Sequence, residues 1–306
     1  VDLHVPDHLI TTHLQADDTA RSWLSTLPTL VDDLLTRWTL TPDGPPRSGQ
    51  AALALPVRRA DDTPAVLRLQ PPTPGTRAAV TGLRRWAGRG AVRLLEHDPT
   101  TTTTLLERLD ATRTLETVED DDEATRVIAD LLTTLTQVQA PPDVPRLRDV
   151  AGAMVDRAPD AARSLRSPTD RALLLSWSAT VAELLTDPGD RLLHWDLHYG
   201  NVLAGDRAPW LAIDPEPLAG DPGFDLWPAL DSNWNAVLAT GTPTRAVRRR
   251  FDLLTEALGL DRERAAAWTL GRLLQNSLWD VEDGRTSLAP SQVTVAHAVT
   301  PAGSNP

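Results

Sequence analysis

The spacing of apolar residues changes character near residue 110, and that change limits the folds open to this chain. Before it, apolar residues come in short runs parted by turn-forming residues: Gln50 to Val57, Pro64 to Gln70, Ala91 to His97 and Thr102 to Leu109. Runs of this kind predict strands. A helix is expected over 76–87, between the second and third runs. An amphipathic helix is expected over 19–38, where Trp23, Leu24, Leu27, Leu30, Val31, Leu34, Leu35 and Trp38 recur at helical spacing, with Pro28 expected to break or kink it. After residue 110 the helical period dominates, with helices predicted over 122–138, 148–165, 169–186, 223–239, 243–258, 261–282 and 290–299. Two short strand-like segments interrupt them, Arg191 to His194 and Trp210 to Asp214. The stop Asp187-Pro188-Gly189-Asp190 precedes the first. The expected fold class is α+β: a small β-rich N-terminal lobe with a helical extension over 1–108, then a larger helical lobe over 109–306. A chain of 306 residues is long for one core and suits two lobes.

Composition removes several classes of function. With no cysteine, disulfides and thiolate metal sites are impossible. No apolar run approaches the ~20 residues a membrane span needs. The start Val1-Asp2-Leu3-His4-Val5-Pro6 lacks the basic and apolar regions of a signal peptide, so the expected location is the cytoplasm. A net charge of −12 argues against nucleic acid as partner and suits cationic ones, although solubility alone also accounts for it. No membrane partner and a monomeric chain are expected. Lysine is absent and all 30 basic residues are arginine, which excludes a lysine-dependent Walker loop.

The stretch Leu192-Leu193-His194-Trp195-Asp196-Leu197-His198-Tyr199-Gly200-Asn201-Val202-Leu203 holds His-x-Asp with an Asn five residues after the Asp. Further on, the apolar run Leu211-Ala212-Ile213 closes in Asp214. Phosphoryl transfer uses these groups: one carboxylate to orient a hydroxyl and take its proton, and a second carboxylate with an amide oxygen to hold Mg²⁺. His194, Asp196 and His198 could instead be read as a metal cluster, but they lack further ligands of obvious spacing. If the segment after Asp214 is extended, Glu216 points the same way as Asp214 and can reach metal-bound water; otherwise it is a surface residue.

This pattern resembles the catalytic and metal-binding loops of the kinase-like superfamily. The segments HWDLHYGNVLA, WLAIDPEPL and GDPGFDLWPAL are similar to the aminoglycoside and hydroxyurea phosphotransferase family, and within it to the branch that phosphorylates streptomycin. So are Arg47-Ser48-Gly49, GAVRLLEHD, LLERLD, VEDDDEA and RRRFDLLTEALGLDR, and the likeness runs from His4-Val5-Pro6-Asp7 to Ala289-Pro290-Ser291-Gln292. The resemblance implies a bilobal, protein-kinase-like fold and ATP-dependent, Mg²⁺-assisted transfer to the 6-hydroxyl of streptomycin or a related cationic aminoglycoside. It implies Asp196 as catalytic base, Asn201 and Asp214 as Mg²⁺ ligands, and Asp225 and His194 as braces of the loop. It further implies Ser48 and Gly49 over the phosphates, and Glu107, Arg108 and Leu109 as the segment whose backbone meets adenine. His198 is structural or on the substrate side.

The chain departs from the family at one place. The family's phosphate-gripping lysine is Arg68 here, in Ala65-Val66-Leu67-Arg68-Leu69-Gln70, and no Asp or Glu occurs from Pro71 to Gly90 to pair with it. Guanidinium is planar and grips two oxygens, so either Arg68 does the lysine's work with altered geometry, or the protein binds nucleotide poorly and has lost most turnover.

For a cationic acceptor, Asp280 and Asp283 lie three apart on a predicted helical face beside Trp279, and Asp231 is a further candidate. A solvated helix end is the alternative. Other functions kept open are a kinase of another hydroxylated antibiotic or of hydroxyurea, and a binding-only pseudokinase that sequesters a cationic antibiotic. A protein kinase is not expected, because ten residues between Asp214 and Asp225 are too few for an activation segment that docks a peptide.

Overall fold

The computed structural model describes residues 6, 9–11, 18–49 and 52–300; His4, Val5 and Asp7 of the N-terminal motif and Gln50 and Ala51 of the first expected strand lie outside them. The chain divides into two compact units, Val1–Asp110 and Ala111–Pro306.

In the first unit, helix α1 (Asp18–Arg37) runs on through Pro28 instead of breaking there. Its apolar stripe of Trp23, Leu27, Val31, Leu34 and Leu35 is buried in one cluster with Leu53, Leu55, Val57, Leu67, Leu69 and Leu105. Burial of each such leucine stabilises by roughly 2–3 kcal/mol, comparable to the penalty of an internal proline. The sheet partners are β1 (Thr41–Pro42), β2 (Arg47–Ser48), β3 (Leu53–Arg58), β4 (Pro64–Leu69), β5 (Leu94–His97) and β6 (Thr104–Glu107). Their order is β1-β3-β4-β6-β5, with β2 also on β3. Leu53, Leu55 and Val57 alternate inward along β3, as a half-buried strand requires. The expected strand over 91–97 starts only at Leu94 and carries an irregularity between Leu94 and Glu96. Helix α2 (Pro74–Trp86) starts at a reciprocal Thr73–Thr76 capping box with proline in its first turn. β1 and β2 have two residues each, too few to show a period in sequence.

Strand β7 (Asp110–Thr114) begins at the last residue of the first unit and leads into the second, followed by α3 (Asp121–Thr136), α4 (Leu147–Ser164) and α5 (Pro168–Leu184). Four short strands come next: β8 (Arg191–Leu193), β9 (Val202–Ala204), β10 (Leu211–Ala212) and β11 (Leu218–Gly220). They form two small antiparallel sheets, β10-β9-β7 and β11-β8. Gly220 is required where β11 passes α4, since an added Cβ would stand 2.8 Å from the Leu147 side chain.

The helix expected over 223–239 is instead three pieces: a 3-10 turn at Pro222–Asp225, α6 (Trp227–Leu230) and α7 (Trp234–Ala239). Pro222 and Pro228 carry no N–H to continue a helical ladder, and Asn233 takes a left-handed φ of +49°, which breaks what apolar spacing alone would join. The unit ends with α8 (Pro243–Leu258), α9 (Arg262–Glu282) and α10 (Pro290–Val299). α9 packs against α4, α5, α10 and the 3-10 turn, and buries Trp268, Leu273, Leu274 and Leu278. Among the described residues no helix is long and apolar enough to cross a membrane.

Candidate active site

The loop after β8 is built on a buried carboxylate. Asp225, fully buried in the 3-10 turn, accepts the backbone N–H of His194 at 2.8 Å and of Trp195 at 2.6 Å. Burial pushes its carboxyl up to about 6, against the pull of those two N–H donors. Trp195 has φ +66°, a region β-carbon-bearing residues rarely occupy, so the turn leading to Asp196 needs this bracing. His194 is itself buried: its Nε2 lies 2.9 Å from the Ile213 carbonyl and its Nδ1 accepts the Asp196 N–H at 3.4 Å. Burial pushes the ring down to about 4, so it is neutral, with Nε2 carrying the proton toward Ile213. With Nε2 engaged by a carbonyl, His194 is not arranged as a metal ligand. Among the described residues no group of three or more His, Asp or Glu could hold a metal ion.

The next turn ties Asp196 to Asn201. The amide nitrogen of Asn201 donates to the Asp196 carbonyl at 2.9 Å and to its Oδ2 at 3.2 Å. The backbone N–H of Ile213 donates to the Asn201 carbonyl at 2.9 Å, and β9 pairs with β10, so the hairpin returns Asp214 to the same place. Because Asn201 spends its NH₂ on Asp196, its amide oxygen is the arm turned away. An amide oxygen and the Asp214 carboxylate form the hard donor set that Mg²⁺ takes, with waters and phosphates completing its shell. The fit therefore rests on two protein donors.

Carboxylates crowd here. Burial pushes the Asp196 carboxyl above its ordinary range, with Asp214 adding to this, while His198, Arg272 and Asn201 pull it back. Glu216 is raised by partial desolvation of its carboxyl and then by the charges of Asp196 and Asp214. Asp214 stands at φ +52°, so the segment is not extended through it and strand alternation does not account for Glu216. Instead the Glu216 N–H donates to the His194 carbonyl at 3.0 Å, which holds it at the loop. His198 puts Nε2 3.8 Å from Asp196 Oδ2, and its Nδ1 accepts the Gly200 N–H at 3.0 Å.

The other predicted residues are distributed as follows. Trp279 is 40 % exposed and has the Arg272 guanidinium 5.3 Å from its ring centroid. Asp280 accepts from Gln292 at 3.0 Å and lies 3.3 Å from Arg285, whereas Asp283, which ends α9, is exposed. Asp231 receives a hydrogen bond from Ser291, leaves its buried Oδ1 without a partner, and is pushed by burial up to about 6. Asp231 and Asp280 thus both reach the start of α10, and Asp283 stands apart.

In the first unit, Ser48 ends β2 and the Gly49 N–H closes the following turn on Ala52 at 3.1 Å. Arg68 in β4 donates to Gln70 at 2.6 Å. Glu107 accepts the Arg93 N–H at 2.7 Å, Arg108 pairs with Asp43 at 2.7 Å, and Leu109 follows them just before the unit ends.

Sequence reasoning overlooked Arg272 and Gln275 of α9, which hydrogen-bond Trp195, and Trp227 of α6, whose ring faces the Arg272 guanidinium. One signal existed: Arg272, Gln275, Asn276 and Trp279 follow helical spacing on one face, in line with Ala265, Trp268 and Thr269.

Comparison with known proteins identifies the family of the chain. Residues 37–284 match the family model "Aminoglycoside/hydroxyurea antibiotic resistance kinase". The chain is 59 % identical to the streptomycin 6-kinase of Streptomyces glaucescens, covering 97 % of each chain. It is 48 % identical to the hydroxyurea phosphotransferase of Kitasatospora aureofaciens, covering 97 % of this chain and 86 % of that one. The crystal structure of aminoglycoside phosphotransferase APH(4)-Ia shares the fold with a TM-score of 0.60 at 15 % identity, over 90 % of this chain and 98 % of that one. Matched along most of its length and sharing the fold, the chain belongs to the aminoglycoside/hydroxyurea antibiotic resistance kinase family.

Proposed function

We propose that this chain is an ATP-dependent O-phosphotransferase that inactivates streptomycin by phosphorylating its 6-hydroxyl, and so confers resistance. The observation that carries the proposal is the Asn201 amide held on both the carbonyl and the carboxylate of Asp196, in a chain 58–59 % identical over 298 residues to two streptomycin 6-kinases. Asp196 orients the acceptor hydroxyl and takes its proton. Asn201 engages Oδ2, so Oδ1 is assigned to that hydroxyl. Partial burial raises the carboxyl and makes it a better proton acceptor. Asn201 and Asp214 would hold Mg²⁺, which supplies charge neutralisation at the phosphates when bound. Asp225 and His194 keep the loop in place.

In the first unit, Ser48, Gly49 and Arg68 are assigned to the phosphates, and the backbone of Glu107, Arg108 and Leu109 to adenine. Trp279, with Asp231, Asp280, Asp283, Glu216 and His198, is assigned to the cationic acceptor. A guanidinium can stack on the open face of Trp279 and pair with carboxylates. An enzyme that consumes ATP works where ATP is, in the cytoplasm.

A coupled ADP-release assay tests this with streptomycin, hydroxyurea or no acceptor. The expected result is streptomycin-dependent turnover, abolished in Asp196→Asn, with the product carrying phosphate on the 6-hydroxyl by NMR. Turnover with hydroxyurea and not streptomycin would move the assignment to the other branch of the family. Streptomycin binding without ADP release would make the protein a sequestering one.

A further inference from the structure

We infer that Arg272 is a positioning residue for phosphoryl transfer, holding the Trp195–Asp196 peptide in its working orientation from the middle of α9. The inference rests on the reading above that Asp196 is the base.

Trp195 has three polar groups, and each is held separately. Its backbone N–H goes to Asp225 at 2.6 Å. Its carbonyl accepts from Arg272 Nη2 at 3.3 Å. Its indole N–H donates to Gln275 Oε1 at 3.2 Å, the same oxygen that takes Arg272 Nη1 at 2.8 Å. Two of the three restraints therefore converge on the Arg272–Gln275 pair, one helical turn of α9. The guanidinium carbon lies 5.9 Å from the Trp195 ring centroid, 5.4 Å from that of Trp227 and 5.3 Å from that of Trp279. Arg272 is thus a fork in an aromatic box, and one wall of the box is the residue before the proposed base.

Stability alone does not explain this arginine. It is 4 % exposed, its Nε has no partner, and its other hydrogen bonds go to amide and carbonyl oxygens. Burial pushes its pKa down to about 10, which still leaves it charged at neutral pH, and the charges that favour it are those of Asp196, Asp225 and Glu216. A buried charged group is weak evidence for stability, because the desolvation it costs often offsets the attraction it gains. What an apolar side chain cannot supply is the fork that fixes the Trp195 carbonyl at φ +66° and, through it, the direction of Asp196.

The test compares Arg272→Met, Arg272→Lys and Gln275→Leu with wild type and Asp196→Asn. Steady-state kinetics with ATP and streptomycin are read beside thermal melting and hydrogen exchange of the 192–203 peptide. In Arg272→Met, kcat is expected to fall roughly 10- to 100-fold, because a displaced base misses the attack geometry, while KM for ATP stays within about threefold. Arg272→Lys keeps the charge but not the fork and is expected to stay slow. Gln275→Leu shows the same split more weakly. Loop amides exchange faster in all three. Wild-type kcat in the variants, unchanged loop exchange, or a kcat loss matched by an equal rise in KM for ATP and a falling melting temperature would overturn the inference. Should Arg272→Met fail to fold, the other two variants decide it by the same readouts. Absence of turnover in the wild-type protein would overturn the kinase reading instead, and loop exchange would still decide whether Arg272 positions the loop.

Discussion

The buried carboxylate of Asp225 accepts the backbone N–H of Trp195 at 2.6 Å, and Trp195 sits at φ +66°. A neighbouring bond to the His194 N–H, at 2.8 Å, uses the other carboxylate oxygen. Asp225→Asn replaces one of those acceptors with an NH₂ that faces an N–H. The expected loss is about 2–3 kcal/mol of stability, with a fall in kcat larger than any change in KM for ATP. Urea unfolding and steady-state kinetics check both, and a variant as stable and as fast as wild type would contradict the bracing role.

His194 makes stability depend on pH with a definite sign. Its folded pKa, about 4, lies below the ordinary 6.5 because the ring is buried neutral. Between these values the unfolded chain holds a proton that the folded chain does not. Stability from this group is therefore complete above about 6.5 and is lost as pH falls toward 4, by about 3 kcal/mol in all. Asp225 and Asp231, pushed up from 3.8 to about 6, act oppositely: their contribution falls as pH rises through that window. The wild-type curve is flattened by the opposition, and His194→Gln removes the rising part. The gap between wild type and variant should widen from pH 4 to 6.5 in urea midpoints. A constant gap would show that His194 is not held neutral.

Arg68 donates to Gln70 at 2.6 Å, and α2 offers no acidic residue to pair with it. If its guanidinium grips phosphate oxygens, Arg68→Lys changes the ATP kinetics, because the ammonium is a point charge without the bidentate fork. Arg68→Ala is expected to lower kcat/KM for ATP by roughly 10- to 100-fold through loss of a charge-assisted contact. Streptomycin binding, read by calorimetry, should not move. Unchanged ATP kinetics in both variants would remove position 68 from the phosphate site.

Asp280 and Asp283 test the acceptor side. The Asp280 carboxylate already meets Gln292 at 3.0 Å and Arg285 at 3.3 Å, while Asp283 is exposed at the helix end. Asp280→Asn with Asp283→Asn should weaken streptomycin binding about tenfold through the loss of two carboxylates facing a cation, and spare nucleotide binding. Calorimetry with each ligand separates the two. Unchanged streptomycin affinity would assign the pair to the helix end alone.

Much of the architecture was legible from the chain itself. Short apolar runs between turn-forming residues marked β3 and β4, and the 3.6 period marked α3, α4, α5, α8, α9 and α10, because both signals lie within windows of a few residues. The loop from His194 to Asn201 and the later Asp214 were legible for the same reason, since a tight turn and a short hairpin place their chemistry at short sequence separation. Tertiary structure alone decided the rest. Whether Pro28 broke α1 depended on the core cluster that holds the helix. That Arg272 serves Trp195 across 77 residues, or that Asp280 meets Gln292, could not be read from local pattern. Secondary structure follows from each residue's neighbours in sequence, whereas a buried polar group acquires its partner only when distant elements pack and leave it no water.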